Sequence, residues 1–261
     1  MDISLKGKTA VVCGSSQGIG LAVAQELAGL GATCILLARN EKTLKGAVAQ
    51  LPAAHQQQHG YRVADFSEPE QVGKAANEIS RETSVHILVN NTGGPAAGPI
   101  IEADEKSFLA AFSQHIVCNQ LLVKAFFPAM RSAGYGRIIN IVSTSVKIPL
   151  PNLGVSNTIR GAVASWARSM ANELGEYGIT VNNVLPGFTD TQRLNSLIEG
   201  NAKRSGKPVD DIREAMIREI PLKRFAKAAE TAALAAFLAS PAAAYITGTS
   251  IRVDGGRTGS I

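Results

Sequence analysis

The sequence predicts a single α/β domain with a doubly wound, parallel sheet of seven strands. Short runs of apolar and β-branched residues alternate along the chain with longer segments of helical periodicity, and such alternation is typical of parallel sheets. The strand runs are almost continuously hydrophobic, as expected for strands covered by helices on both faces. The 261 residues, of which 45% are hydrophobic, suit one large domain or two small ones. No repeat or low-complexity linker divides them, which favours one domain.

The first strand is predicted at Thr9–Cys13, a run of apolar and β-branched residues. A helix is predicted over Ile19–Leu30, because Ile19, Val23 and Leu27 recur at helical spacing. The remaining strands are predicted at Cys34–Ala38, Tyr61–Ala64, Ile87–Asn90, Arg137–Val142, Thr180–Val184 and Ser250–Val253.

Residues 190–225 differ from the rest of the chain. They are polar and helical in pattern, and Pro208 and Pro221 interrupt them. We expect this segment to be a helical lid over the site, inserted within a single domain that spans residues 1–261.

Cysteine content and hydropathy exclude several classes of protein. Cys13, Cys34 and Cys118 are too few and too scattered for a disulfide framework, so we expect reduced thiols in a cytoplasmic protein. The cysteines and the four histidines show no metal-ligand spacing, and no metal site is predicted. No secretory signal and no apolar run of membrane-spanning length is present, so no membrane partner is expected.

The net charge of +5 is concentrated in one part of the chain. Between residues 192 and 227 there are nine basic and five acidic residues. This excess is consistent with a solvated helical surface or with attraction for an anionic substrate tail. Aromatic residues are sparse there, and no nucleic-acid motif accompanies the charge, so nucleic acid is not an expected partner.

A glycine-rich turn follows the first predicted strand and opens the first helix. Residues 14–20 read Gly-Ser-Ser-Gln-Gly-Ile-Gly. Glycines permit the tight turn and the close approach of a pyrophosphate, while the helix N-terminus offers free N–H groups and a partial positive charge. Placement between a strand and a helix makes the motif far more specific than glycines alone. The cofactor-binding residues predicted here are Gly14, Ser16, Gly18, Ile19 and Gly20.

The end of the second strand predicts which dinucleotide binds. An acidic residue here would bind the ribose 2′-hydroxyl of NAD, whereas an arginine accommodates the 2′-phosphate of NADP. The chain has Ala38 followed by Arg39. NADP(H) is therefore predicted in preference to NAD(H).

Further motifs end the later strands. Residues 64–66 read Ala-Asp-Phe, residues 90–93 read Asn-Asn-Thr-Gly, and residues 186–191 read Pro-Gly-Phe-Thr-Asp-Thr. Tyr-Ile-Thr-Gly at 245–248 and Val-Asp-Gly-Gly at 253–256 stand near the end of the chain. With the glycine turn, these motifs resemble the short-chain dehydrogenase/reductase family over about residues 5 to 257, and within it the 3-oxoacyl-acyl-carrier-protein reductase branch.

The resemblance implies a Rossmann fold, a nicotinamide dinucleotide, and an oxidoreductase that forms a homotetramer or homodimer. It implies a small-molecule or acyl-thioester substrate. It also implies that the third-strand motif contacts adenine, that the fourth-strand motif supports the sheet and the cofactor, and that the sixth-strand motif holds the nicotinamide amide. The cofactor residues implied in this way are Asp65, Phe66, Asn91, Gly93, Pro186, Gly187, Thr189 and Thr191.

The catalytic positions depart from the family pattern. The family has a Ser, a Tyr thirteen residues later and a Lys four residues after the Tyr. Ser143 stands at the first position, but Ser156 and Arg160 stand at the other two. No shift restores the pair, because there is no Tyr between residues 136 and 176 and no Lys between residues 148 and 202.

The resemblance implies that Ser143 polarises a substrate oxygen. Arg160 would bind ribose hydroxyls through its five N–H donors but would not relay a proton, because it remains charged. Ser156 is too weak an acid to replace a phenol, so a space-filling or substrate-binding role is expected.

Two other side chains are candidates for proton transfer. His115 stands where relatives have an Asn that completes a water relay, and imidazole is the usual general acid or base near neutrality. A buried helical histidine without catalytic function is the alternative. Lys147 lies four residues after Ser143, and it is either a proton donor or an exposed loop lysine.

The sequence favours two functions over a third, hydride transfer to an activated double bond, which nothing in the sequence supports directly. The first is an NADP(H)-dependent oxidoreductase that interconverts a carbonyl and an alcohol with a non-standard proton-transfer site. The second is a weakly active or inactive NADP(H)-binding sensor or scaffold. The intact nicotinamide-holding segment favours the enzyme.

Overall fold

A computed structural model of the chain describes residues 1–259. Its sheet has the strand order β3-β2-β1-β4-β5-β6-β7, and all neighbouring strands are parallel. The predicted doubly wound sheet of seven strands is therefore confirmed. The strands are β1 (Thr9–Cys13), β2 (Thr33–Ala38), β3 (Gly60–Val63), β4 (Ile87–Asn90), β5 (Gly136–Ile141), β6 (Ile179–Pro186) and β7 (Ser250–Val253).

The predicted strand positions agree with the structure except at the ends. The largest difference is at β6, which was predicted to end at Val184 and continues to Pro186. The two additional residues are held by pairing with β7, where Leu185 lies opposite Arg252 and Pro186 lies opposite Val253. The partner strand therefore extends β6 beyond its most hydrophobic part.

Helices cover both faces of the sheet and form the segment after β6. They are α1 (Gly18–Gly29), α2 (Glu41–Val48), α3 (Pro69–Glu82), α4 (Glu105–Phe112), α5 (Cys118–Ala133), α6 (Gly154–Leu174), α7 (Gln192–Ser205), α8 (Val209–Arg218) and α9 (Ala228–Ala239). Within the described residues, no helix is both long enough and apolar enough to span a bilayer.

Helices α7 and α8 form most of the segment predicted to be helical between residues 190 and 225. Pro208 immediately precedes α8, and Pro221 follows its end. Both prolines thus lie at helix boundaries, where a missing N–H group does not interrupt helical hydrogen bonding.

The core lies on the two faces of the sheet, because successive strand residues point to opposite sides. Val12 belongs to the buried cluster that includes residues of α1 and α9. Its neighbour Val11 belongs to the cluster that includes residues of α3, α5 and α6. The two clusters explain why the strands are continuously hydrophobic in sequence.

A row of buried amide side chains crosses four strands. Asn90 donates to Asn140 over 2.8 Å, Asn140 donates to Asn183 over 2.9 Å, and Asn183 donates to Ser250 over 3.0 Å. These residues are direct register partners on β4, β5, β6 and β7. The bonds therefore fix the relative register of the four strands.

The strand order reverses between β1 and β4, which are direct neighbours in the sheet. Their connections run in opposite directions, so a crevice opens at the carboxyl ends of these strands. This position is where doubly wound sheets bind ligands.

We expect Gly20→Ala to lower the free energy of unfolding by about 1–3 kcal/mol or more. A Cβ on Gly20 would collide with the Gly14 carbonyl oxygen and stand 2.7 Å from the Asn91 amide nitrogen. Gly29→Ala on the same helix is the matched control, because nothing lies within 4 Å of its Cβ position. The control should be neutral or stabilising by up to about 1 kcal/mol. Urea unfolding of both variants measures the difference, and equal stabilities would refute the proposed close contact.

Candidate active site

The glycine turn of residues 14–20 forms one wall of the crevice. Gly14 and Gly18 adopt left-handed backbone conformations, with φ of +56° and +59°. The buried hydroxyl of Ser15 donates to the Val12 carbonyl over 2.8 Å and accepts the Leu37 amide over 3.2 Å. The turn is thereby fixed to both β1 and β2.

The N-terminus of α1 is open to a ligand. The helix begins at Gly18, and the preceding Gln17 makes no side-chain capping bond. The first N–H groups of a helix have no partner within the helix, and together with the helix dipole they bind anions. Among the residues predicted to bind a cofactor, Ser16, Gly18, Ile19 and Gly20 lie here.

Arg39 and Asp65 lie at the adjacent ends of β2 and β3. Arg39 is exposed directly after β2. The Asp65 carboxylate accepts the backbone and hydroxyl groups of Ser67 over 2.9 and 2.8 Å. These two bonds, assisted by nearby Arg39, lower the pKa of Asp65. Phe66 is buried in the core, and its carbonyl accepts Cys118 Sγ over 3.4 Å.

The segment after β6 lies opposite the glycine turn. The Gly187 amide donates to the Val253 carbonyl over 2.9 Å, so β7 fixes the start of this segment. Thr191 Oγ1 donates to the Thr189 carbonyl over 3.2 Å and accepts the Leu194 amide over 3.4 Å as the cap of α7.

A Cβ on Gly18 would lie 3.5 Å from Thr191 Cγ2. Thr191 therefore lies next to the glycine turn. The residues predicted from the first and sixth strands meet here.

Ser143 and Arg160 both lie at the carboxyl end of β5. Ser143 Oγ accepts the Ser145 amide over 3.1 Å, which leaves the hydroxyl hydrogen free to donate to a ligand. Arg160 extends from α6 and donates through Nη1 to the Ile141 carbonyl over 3.0 Å. Ser156 is partly buried one helical turn before Arg160, so both face the same side of α6.

His115 lies in a π-helical segment, Ser113–Val117, between α4 and α5. Its side chain is only 3% exposed, and Nδ1 lies 2.7 Å from Thr92 Oγ1. Nε2 is buried without a hydrogen-bond partner among the described residues.

Burial lowers the pKa of His115 to about 3, and the charge of nearby Arg160 contributes in the same direction. The Gly93 carbonyl acts in the opposite direction, more weakly. His115 is therefore neutral near pH 7. This state argues against an imidazolium acid, one of the two roles expected from sequence.

Lys147 follows the short 3₁₀ turn Thr144–Val146 that Ser143 caps. The side chain of Lys147 is exposed. Its backbone amide donates to the Thr144 carbonyl over 2.9 Å, but the hydrogen bonds described for residues 1–259 include none from its ammonium group. The structure thus places Lys147 at the surface beside the site.

The protein-family model described as enoyl-(acyl carrier protein) reductase matches residues 14–258. The chain belongs to the short-chain dehydrogenase/reductase family. The NADPH-dependent reductase BacG of Bacillus subtilis is 32% identical, over 97% of this chain and 99% of that protein. The 3-oxoacyl-[acyl-carrier-protein] reductase FabG of Pseudomonas aeruginosa is 34% identical, over 97% and 98%.

A solved structure of L-sorbose reductase from Gluconobacter frateurii, complexed with NADPH and L-sorbose, has a TM-score of 0.93 to this chain. The two chains are 30% identical, and the match covers 100% of each. The family predicted from the sequence motifs is therefore confirmed. The assignment of Ser156 and Arg160 to the positions of the family's Tyr and Lys stays a prediction.

Three residues near the site are not among those predicted from the sequence. Thr92 is the partner of His115, and Gly94 lies in the loop after β4. Arg193 is in the first turn of α7 and donates to the Pro95 carbonyl over 2.8 Å. A cation in the first turn of a helix opposes the helix dipole, and this sequence signal, which was not used, could have distinguished Arg193 from the other basic residues of the segment.

The free energy of unfolding should depend on pH through His115. The unfolded histidine takes up a proton below its ordinary pKa of 6.5, whereas the folded one does so only near 3. Acid therefore favours the unfolded state, and stability contributed by neutral His115 is lost as pH falls below 6.5. Between pH 7.5 and 5.5 the loss should be about 1.4 kcal/mol.

Urea unfolding of the wild type and His115→Asn at both pH values measures this effect. Other titrating groups are common to the two proteins, so the variant should lack only this part of the pH dependence. An equal loss of unfolding free energy in both proteins would contradict the prediction, because it would mean that the pKa of folded His115 is not lowered.

Proposed function

We propose that this protein is an NADP(H)-dependent oxidoreductase that interconverts a carbonyl and an alcohol. The observation that carries the proposal is the crevice itself, in which the uncapped N-terminus of α1 lies next to Thr191. The BacG relative is named as NADPH-dependent, and L-sorbose reductase was solved with NADPH. These relatives support the cofactor and the class of reaction.

The residues present fit a dinucleotide. Free N–H groups at the start of α1 suit the pyrophosphate, and exposed Arg39 suits the 2′-phosphate. The Pro186–Thr191 segment would orient the nicotinamide amide. The cofactor, when bound, supplies or accepts a hydride.

Ser143 would donate its free hydroxyl hydrogen to the substrate oxygen and so stabilise the negative charge that develops there. Ser156 cannot supply the proton, since an alcohol is a much weaker acid than a phenol. Neutral His115 could relay a proton between its two ring nitrogens, with Thr92 at one of them. Lys147 or water would provide the proton from the surface.

General acid catalysis contributes about 10²–10⁴-fold to rates. Orientation of the reactants supplies about 7–11 kcal/mol of barrier reduction. Loss of the phenol would therefore slow carbonyl reduction without abolishing it.

A conjugated carbon–carbon double bond is a second candidate hydride acceptor. The absence of a phenol and the neutral state of His115 favour it, because hydride addition to carbon leaves an enolate that water protonates at carbon. The description of the matching family model as an enoyl reductase also supports it.

We expect substrate-dependent oxidation of NADPH with a panel of 3-oxoacyl thioesters, small cyclic ketones and enoyl thioesters. Ser143→Ala should lower kcat/KM for carbonyl substrates by about 10²–10³-fold, because it removes one donor to the developing oxyanion. Its affinity for NADPH should not change. Ser165→Ala, an exposed serine of α6, is the matched control and should retain full activity. Bound NADPH without turnover of any substrate would instead support the sensor or scaffold.

Arg39→Ala should raise the Kd for NADPH by about 10–100-fold, because hydrogen bonds to charged groups contribute about 1.5–3 kcal/mol. The Kd for NADH should not change, since NADH lacks the 2′-phosphate, and this comparison is the internal control. Fluorescence titration of both cofactors measures the two values. Equal weakening of both would contradict recognition of the 2′-phosphate.

A further inference from the structure

Two guanidinium groups converge on one point in the crevice. Arg160 extends from α6 and Arg193 from α7. Their Nη2 atoms lie 3.5 and 3.3 Å from the position that a Cβ on Gly94 would occupy. Two helices that are separate in sequence thus direct cations to the same glycine, whose missing side chain leaves the space between them open.

Neither guanidinium group has an acidic partner. The ion pairs of residues 1–259 include Arg62, Arg224 and Arg257, but not Arg160 or Arg193. Arg160 and Arg193 each donate to one backbone carbonyl, at Ile141 and Pro95. A carbonyl does not neutralise a cation, so no protein group compensates either charge, and Arg193 is hydrated because it is exposed.

The two charges also repel each other. Burial, and then the charge of Arg193, lower the pKa of Arg160 to about 10, so Arg160 is still a cation at neutral pH. Like charges held together without a counter-ion oppose folding. An anion bound between them would remove that cost. The neutral hydroxyl groups of a ribose would not.

A third polar group supports the same site independently. His115 Nε2 is buried without a partner, and its ring is close enough to Arg160 for the charge to lower its pKa. Buried polar atoms are nearly always hydrogen-bonded. A ligand atom beside Arg160 could satisfy this nitrogen.

We propose that Arg160 and Arg193 bind a carboxylate group of the substrate, and that the substrates are therefore small carboxylic acids. This inference rests on the proposed oxidoreductase function. Guanidinium groups bind carboxylates through paired N–H donors. The Ile141 contact of Arg160 keeps the site near Ser143, two residues further along, where the reacting carbonyl or double bond would lie.

The phosphates of the cofactor are another source of negative charge. The pyrophosphate, however, has its own binding site in the uncapped N-terminus of α1. A substrate carboxylate has no comparable second site, so Arg160 and Arg193 are the cations available to bind it. The experiment separates the two sources.

The test uses 2-, 3- and 4-oxo acids, each paired with its neutral methyl ester, with NADPH saturating. The wild type should prefer the acid of at least one pair. Arg193→Gln should raise KM for that acid by about 10–100-fold, without affecting the ester or the Kd for NADPH. Arg204→Gln removes an exposed charge from the same helix and should behave as the wild type. Gly94→Ala keeps both charges but fills the space between them, so it should also raise KM for the acid.

A different result would be that Arg193→Gln raises the Kd for NADPH and leaves the ratio of KM for the acid to KM for its ester unchanged. That result would assign the two arginines to a cofactor phosphate and overturn the proposal. Equal use of acid and ester by the wild type would also overturn it.

Calorimetric titration of the NADP⁺-loaded protein with succinate separates this proposal from the proposed function. If no substrate turns over, succinate binding that Arg193→Gln abolishes and Arg204→Gln retains would uphold the carboxylate site. Absence of succinate binding in that case would overturn it.

Discussion

The close contact between the glycine turn and Asn91 is the constraint on which the site depends. The Asn91 amide donates to the Cys13 and Gly14 carbonyls over 3.2 and 3.1 Å. This bond pair satisfies the carboxyl end of β1 and brings the loop after β4 against the turn. Any side chain at Gly14 would collide with the Asn91 carbonyl oxygen. The crevice, the free N-terminus of α1 and the loop that contains Gly94 all take their positions from this contact.

The buried amide row extends the same order across the rest of the sheet. Asn90 precedes Asn91 and is bonded through Asn140 and Asn183 to Ser250. A slip of one residue in a strand would move its side chains to the opposite face and break this row. The row thus fixes the register of β5 and β6 against β4. Because these strands are parallel, the Ser143 turn and the Pro186 segment leave the sheet at the same edge.

Local sequence predicted the parts of the fold that depend on local physics. Continuous apolar runs located the seven strands, and glycine spacing located the turn before α1, since both depend on neighbouring residues. The environment of His115 could not be predicted, because it depends on a π-helical segment that turns the ring towards Thr92. The position of Arg193 depends on its reach across the crevice to Pro95. Contacts between distant segments leave no periodic signal in the chain.

The electrostatic balance of the site connects its two unusual features. A reductase that donates a proton from a phenol neutralises the oxygen as the hydride arrives. At the position predicted for that phenol this chain has Ser156, and His115 is neutral, so negative charge would persist longer on the reacting group. A fixed donor such as the Ser143 hydroxyl stabilises such charge without proton transfer. The proposed substrate carboxylate would compensate the charges of Arg160 and Arg193, so these two cations would hold the substrate in place near that hydroxyl. The missing counter-ion and the predicted loss of the acid are thus consistent with one another: both suit a site that holds its substrate by fixed charge and stabilises the reacting oxygen by a fixed donor.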